Sequence, residues 1–231
     1  MFPFKLVDLT HTIDPTIPLW PGSDSFCMKI RFDYDQGGCR AAAYSMVAGT
    51  GTHMDAPAHF IKGGKTLDQF TLQELVVPVC IINVQHQVND NADYTLQPED
   101  IHSWERQHGK IQSGSVVIMN TGWAQRWPDL KSFLNEDENG IKHFPGFSIE
   151  ACQILLERKI GGIGIDTFSL DPGNTKDFGV HYLMLEKELY FIECLANLDQ
   201  MPPSGAFIGS FPLKVAQAPE MPARIIGLII E

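Results

Sequence analysis

The chain has 231 residues, of which 44% are hydrophobic and 19% are charged. These proportions are typical of a globular protein, and they exclude a disordered or collagen-like chain. The 28 acidic residues outnumber the 17 lysines and arginines, so the formal net charge is −11. Such a surface repels phosphate backbones and anionic lipid heads, which argues against nucleic acid or a membrane surface as a partner.

The sequence also indicates the compartment. No apolar run approaches the roughly 20 residues that a membrane span requires. The first residues, MFPFKLVDLT, do not have the pattern of a signal peptide. The five cysteines are an odd number, lie far apart and form no CxxC pair, which favours a reducing compartment over a disulfide framework. We therefore expect a cytoplasmic protein.

Short apolar runs separated by glycine and proline predict that strands outnumber helices. In chain order the predicted strands are residues 42–47, 79–84, 116–120, 162–168 and 189–195. The predicted helices are residues 98–107, 149–160 and 181–188. The second helix has the clearest signals, with Ser148 as its N-cap and Gly161 after its end. No linker or repeat divides the chain, so we predict one mixed α/β domain over residues 1–231.

The segment 51–60, GTHMDAPAHF, contains the strongest candidate for chemistry. In an extended chain His53 and Asp55 point to the same face, about 6.6 Å apart at Cα. Pro57 prevents a regular strand or helix from continuing, so a turn can bring His59 back to the same pocket. Imidazole with carboxylate suits zinc, manganese or another borderline cation. Both residue types are also common in loops, and two ligands alone do not make a metal site.

Two further ligands would have to come from elsewhere in the chain, and the candidates are His181 and Glu193. Glu193 lies within the apolar run YFIECL, where a buried charge is costly without a partner. A metal ion would be such a partner, although a buried ion pair or a strand end would also account for the charge. His181 gives a weaker signal, because a packing or capping histidine shows the same pattern.

Four segments carry a recognisable pattern. Residues 49–59, GTGTHMDAPAH, match the signature H-x-G-T-H-x-D-x-P-x-H at every fixed position but the first. The other segments are DLTHTIDPTIPLWPG at 8–22, NTGW at 120–123 and GIDTFSLD at 164–171. Together they resemble the bacterial kynurenine formamidase and isatin hydrolase group, the cyclase-like metal-dependent hydrolases. His181 and Glu193 follow in the order and spacing of that family's distal ligands, so the resemblance spans nearly the whole chain.

The resemblance implies a fold, a reaction and a set of site residues. The fold would be α/β, a swivelling β/β/α domain with a mixed, partly barrel-like sheet and a few helices, usually assembled as a homodimer or larger. The reaction would be hydrolysis of a formamide-like or cyclic amide in a small, often aromatic molecule by a metal-activated water. The metal ligands by match would be His53, Asp55, His181 and Glu193. His59 would be the general acid/base, and Trp20 would form an aromatic wall of the substrate pocket.

Gly49 stands where the family signature has its first histidine. In two-metal members that histidine helps to hold one ion, so we expect one tightly bound cation here, zinc before manganese, with any second ion weak. Another side chain such as His11 could replace the histidine, and Asp166 could support the ligands or cap a strand end. Two other functions stay open: a lactonase or lyase of the same family, and a non-catalytic descendant that binds a small ligand. The presence of His59 beside four candidate ligands favours the enzyme.

Overall fold

Strands outnumber helices in the computed structural model, which describes residues 3–127 and 129–230. In chain order the strands are β1 (Phe4–Asp8), β2 (Cys27–Phe32), β3 (Ala41–Ser45), β4 (His53–Asp55), β5 (Val76–Asn83), β6 (Thr95–Leu96), β7 (Val116–Asn120), β8 (Gly146–Phe147), β9 (Gly162–Ile165), β10 (Tyr190–Glu193), β11 (Ala206–Pro212) and β12 (Glu220–Ile230). The helices are α1 (Tyr34–Gly37), α2 (Leu72–Leu75), α3 (Gln85–Asp90), α4 (Pro98–His108), α5 (Leu130–Leu134), α6 (Ile149–Glu157) and α7 (Gly179–Leu185). Within the described residues, no helix combines the length and the apolar character that crossing a membrane requires.

Seven strands form a closed ring in the order β12, β11, β5, β7, β9, β10 and β4, and β4 pairs back onto β12. The pairs from β5 through β7 and β9 to β10 are parallel. The remaining pairs of the ring are antiparallel. β1 pairs with β12 as an additional antiparallel strand. The mixed, barrel-like sheet that the family resemblance implied is therefore confirmed.

The predicted elements agree with the structure to within a few residues. Strand β7 has the predicted bounds, Val116–Asn120. Helix α6 is capped as predicted, since the Ser148 hydroxyl accepts a hydrogen bond from the Ala151 N–H at 3.1 Å. The helix ends at Glu157, earlier than predicted, because Lys159 adopts a left-handed φ of 56° that an α-helix cannot contain.

Alternate residues of the ring strands pack into two hydrophobic cores. Ile118 of β7 and Met54 of β4 belong to one core. Val117 of β7 belongs to the other, which also contains side chains from α4, α6 and α7. This alternation is the period of two that a strand imposes on its side chains. Because Met54 faces the first core, its neighbours His53 and Asp55 face the helix side of the sheet.

Candidate metal centre

Three neighbouring strands bring four polar side chains onto one face of the sheet. His53 and Asp55 lie two residues apart on β4 and therefore share a face. On one side of β4, Glu193 of β10 is directly opposite His53. On the other side, Glu220 of β12 is directly opposite Asp55. Directly opposed residues point to the same side of a sheet, so the strand register alone assembles the four groups.

A fifth polar group, His181, comes from the first turn of α7. Asp171 holds this turn, because its two oxygens accept hydrogen bonds from the Val180 N–H at 2.8 Å and the His181 N–H at 3.0 Å. Asp171 also accepts a hydrogen bond from Nδ1 of His181 at 2.6 Å. The imidazole therefore carries its proton on Nδ1 and directs Nε2 toward the carboxylates of the sheet.

His53 and His181 share the same two carboxylates. Nε2 of His53 lies 3.5 Å from Oδ1 of Asp55 and 3.3 Å from Oε2 of Glu193. Nε2 of His181 lies 3.8 Å from Oδ2 of Asp55 and 3.4 Å from Oε1 of Glu193. Each carboxylate thus offers one oxygen to each imidazole. Nδ1 of His53 donates to the carbonyl oxygen of Gly51 at 2.9 Å, so Nε2 of this ring is also free to bind a cation.

These donors fit a divalent cation. His53, Asp55, His181 and Glu193 are each at most 5% exposed. Oδ1 of Asp55 is buried without a hydrogen-bond partner, which a cation would supply. Ligand atoms lie within 4.8 Å of one another in two overlapping groups, one of His53, Asp55 and Glu220 and the other of Asp55, His181 and Glu193. Imidazole nitrogen and carboxylate oxygen suit zinc or manganese.

The electrostatics of this cluster favour positive charge. Burial disfavours the protonated form of His53, but the Asp55 and Glu193 carboxylates outweigh burial and raise the pKa of His53 to about 10. Burial also opposes protonation of His181, yet its hydrogen bonds to Asp171 and to the same two carboxylates raise the pKa of His181 well above its usual value. A bound divalent cation would provide the positive charge that these buried carboxylates require.

A cavity of about 400 Å³ opens onto these groups. Its aromatic lining includes Trp20, Phe168 and Phe178, and the rings of Trp20 and Phe168 meet edge to face with centroids 6.0 Å apart. His59 lines the same cavity, with 29% of its side chain exposed and its Nε2 4.0 Å from Oε2 of Glu220. Aromatic walls beside a polar cluster suit a small planar molecule with one reactive polar bond.

All six residues predicted for the site line this cavity: Trp20, His53, Asp55, His59, His181 and Glu193. His11 does not line it. The His11 ring instead stacks on Trp127 with centroids 4.2 Å apart, and burial lowers the pKa of His11 to about 4. Asp166 has the contacts of a strand-end cap, since it accepts hydrogen bonds from the N–H and hydroxyl of Thr121 and from the Ala124 N–H. His11 therefore does not take the place of the histidine that is missing at position 49.

Sequence reasoning missed two residues of this site. Asp171 is the last residue of the segment 164–171, so it belonged to a recognised motif, but no local pattern linked it to His181. Glu220 lies in the stretch PEMP, which has no functional signature. Only the pairing of β12 with β4 brings Glu220 to the site.

The fold and the site define a barrel-like α/β protein with a candidate histidine–carboxylate metal centre, and comparisons with known proteins agree. The family model described as "Putative cyclase" matches residues 7–172, so the chain belongs to the cyclase family. Isatin hydrolase of Roseibium aggregatum is 34% identical over 242 aligned residues, which cover 97% of this chain and 92% of the relative. Kynurenine formamidase of Geobacillus thermodenitrificans is 25% identical, over 94% of each chain. The solved structure of isatin hydrolase A from Labrenzia aggregata, bound to benzyl benzoate, shares 34% identity and a TM-score of 0.92 over 99% of this chain and 95% of that one.

Proposed function

We propose that this protein is a metal-dependent hydrolase that cleaves a cyclic or formamide-like amide bond in a small aromatic molecule. The observation that carries the proposal is that His53 and His181 face the same two buried carboxylates. His59 and an aromatic wall line the cavity onto which this cluster opens. The similarity to an isatin hydrolase and to a kynurenine formamidase supports an amide as the bond that is cleaved.

The metal ligands in this proposal are His53, Asp55, His181 and Glu193. Each histidine has its Nδ1 bound to an oxygen, the Gly51 carbonyl or the Asp171 carboxylate, which leaves Nε2 for the cation. A bound zinc or manganese ion would supply a nucleophilic water near neutral pH and a positive charge opposite the developing oxyanion. Zinc is the first choice, with one or two ions per chain.

His59 acts as the general acid/base. Its imidazole lines the substrate cavity. Its ion-pair contact is with Glu220, at 4.0 Å, and not with Asp55 or Glu193, the two carboxylates that His53 and His181 share. A positioned imidazole can accept a proton from the attacking water and return it to the leaving nitrogen, the usual part of a histidine in general acid/base catalysis. Such proton transfer contributes about 10²–10⁴ in rate.

Trp20 forms the aromatic wall against which the substrate lies. It packs beside Phe168 and Phe178, with ring centroids 6.0 Å and 6.4 Å away, so its ring is held in place by neighbours. Stacking on an aromatic face is worth about 0.5–1.5 kcal/mol beyond the area that is buried. This wall therefore favours an aromatic substrate over an aliphatic amide of the same size.

A homodimer in the cytoplasm is part of the proposal. Strands β2 and β3 pair with each other as a hairpin separate from the ring. This hairpin exposes Met28, Phe32 and Tyr44 at 50%, 58% and 63%. A cluster of exposed apolar side chains is typical of an interaction surface. All five cysteines are free, which fits a reducing compartment. Light scattering during gel filtration measures the oligomeric state directly.

The function is tested with metal-free protein that is reloaded with Zn²⁺ or Mn²⁺. The reloaded protein is assayed against isatin, a formyl-anilide and an aromatic lactone. Hydrolysis of an amide that depends on the metal supports the proposal. Turnover of the lactone alone would favour the lactonase, and binding of isatin without turnover by the metal-loaded protein would favour the non-catalytic descendant.

A further inference from the structure

The carboxylate of Glu220 fills the space beside Gly49. A Cβ atom on Gly49 would lie 2.8 Å from Oε2 of Glu220 and 3.5 Å from Nε2 of His53. Gly49 is not among the glycines with a left-handed φ, so its backbone conformation is open to other residues. A side chain at position 49 would therefore require the carboxylate of Glu220 to move.

The strand pairing fixes the backbone of Glu220 at the edge of the site. Glu220 begins β12 and lies directly across from Asp55, with Met221 across from Met54. The preceding carbonyl, that of Pro219, accepts a hydrogen bond from the Ala56 N–H at 2.8 Å. The carboxylate is thus carried by backbone that is paired on both sides of the residue, and it is not on a free loop.

Within the described part of the chain, Glu220 has no lysine or arginine within 4.0 Å. Its only ion-pair partner there within 4.0 Å is His59. Oδ1 of Asp55 has no hydrogen-bond partner, although it is buried and lies on the side of Asp55 that faces His53. His53, Asp55 and Glu220 each place one potential ligand atom, a ring nitrogen or a carboxylate oxygen, within 4.8 Å of the other two. An unpartnered buried oxygen among an imidazole and a second carboxylate marks a place for a cation.

We infer that Glu220 is a metal ligand that takes over from the signature histidine missing at Gly49. With His53 and Asp55 it forms a second cation position next to the one formed by His181, Asp55 and Glu193. The inference rests on the proposed metal dependence. It replaces the expectation of a single tightly bound ion with that of two, because the histidine has been exchanged for a carboxylate from another strand.

The experiment counts Mn²⁺ ions on chelator-stripped protein by isothermal titration calorimetry and by plasma mass spectrometry after gel filtration. The unmodified protein is expected to bind two Mn²⁺ ions per chain. Glu220→Gln and Glu220→Ala are expected to bind one, with affinity for the second lowered at least about 100-fold, since loss of an outer contact already costs about 10–100-fold. The double variant Gly49→His/Glu220→Ala is expected to bind two again. Glu138→Gln, at an exposed carboxylate in a turn, is the matched control and should also bind two.

The result that would overturn the inference is equal Mn²⁺ stoichiometry, with affinities within about threefold, in the unmodified protein and both Glu220 variants. Circular dichroism melting checks that each variant is folded. If the double variant does not fold, the Mn²⁺ stoichiometries of Glu220→Gln and Glu138→Gln are compared, and a loss of one ion in Glu220→Gln alone supports the inference. Amide hydrolysis by unmodified protein that holds only one ion per chain would remove the role of Glu220 and leave the proposed function intact. Failure to bind any Mn²⁺ or Zn²⁺ would instead contradict the proposed function.

Discussion

Oδ2 of Asp171 accepts a hydrogen bond from Nδ1 of His181 at 2.6 Å, and the same oxygen accepts one from the His181 backbone N–H at 3.0 Å. A single carboxylate thereby sets where α7 begins, how the imidazole is oriented and which nitrogen carries the proton. The affinity of the site for a cation should therefore depend on a residue that is not itself among the candidate ligands.

Asp171→Asn is expected to weaken the binding of Zn²⁺ or Mn²⁺ by about 10–100-fold, because an amide holds the His181 tautomer less firmly than a carboxylate does. Calorimetric titration of the metal-free protein measures the change. Asp166→Asn is the matched control, since Asp166 is equally buried but bonds to Thr121 and Ala124. The control should lower the melting temperature and leave metal affinity unchanged. Equal losses of affinity in both variants would contradict a specific role for Asp171.

The parts of the site that are close in sequence could be predicted from it. His53 and Asp55 are two residues apart, and the structure places both on β4 facing the same side. The turn expected after Pro57 is a short 3₁₀ helix, Pro57–His59, and it brings His59 to the cavity. These relationships depend on the period of a strand and on the fixed φ of proline, and both are local properties.

The parts that meet through strand pairing could not be predicted. Glu220 reaches Asp55 only because β12 closes the ring onto β4. Sequence patterns also missed β11 and β12 as strands. Pro212 ends β11 and Pro222 lies within β12, and proline normally argues against a paired strand. Strand register is set by tertiary packing. The local sequence around a residue therefore does not determine which residue lies opposite it in the sheet.

His59→Ala is expected to lower kcat for amide hydrolysis by about 10²–10⁴-fold, because the proton of the attacking water loses its acceptor. The number of metal ions per chain should stay the same. Steady-state kinetics and plasma mass spectrometry provide the two measurements. His86→Ala serves as the control, as the His86 side chain is 90% exposed on α3 and does not line the cavity. A His59→Ala protein that has lost its metal would show that His59 is a ligand and not the acid/base.

Trp20→Ala is expected to raise KM for an aromatic amide about tenfold, which corresponds to about 1.4 kcal/mol and is within the range for one aromatic contact. kcat should change much less, because the Trp20 ring packs against Phe168 and Phe178 and is assigned no part in proton transfer or metal binding. Trp20→Phe should raise KM less than Trp20→Ala. Trp127→Phe is a suitable control, since Trp127 stacks on His11 outside the cavity. A larger effect on kcat than on KM would mean that Trp20 acts in the chemical step and not as a binding wall.

Glu105→Gln tests the ion cluster around the buried Glu105 carboxylate, which joins α4 to the end of α6. Arg158 donates to both oxygens of Glu105 at 2.7 Å and 3.1 Å, and Lys110 donates to one of them at 2.6 Å. The Arg158 contact is the main reason that the pKa of Glu105 is lowered to about 2. A lowered pKa in the folded state means that the carboxylate contributes stability above its unfolded pKa of about 4.3 and loses this contribution as the pH falls toward 2.

At pH 7 the Glu105→Gln variant is therefore expected to have an unfolding free energy about 1–2 kcal/mol below that of the unmodified protein, a value reduced for solvent screening. The difference should shrink steadily between pH 5 and pH 3. Urea unfolding followed by tryptophan fluorescence at fixed protein concentration measures it. Glu99→Gln on the same helix is the control, because its bridge to Arg106 is exposed to solvent and should contribute little to stability. A difference that is the same at pH 3 as at pH 7 would show that packing, and not the ionised carboxylate, accounts for the effect of Glu105.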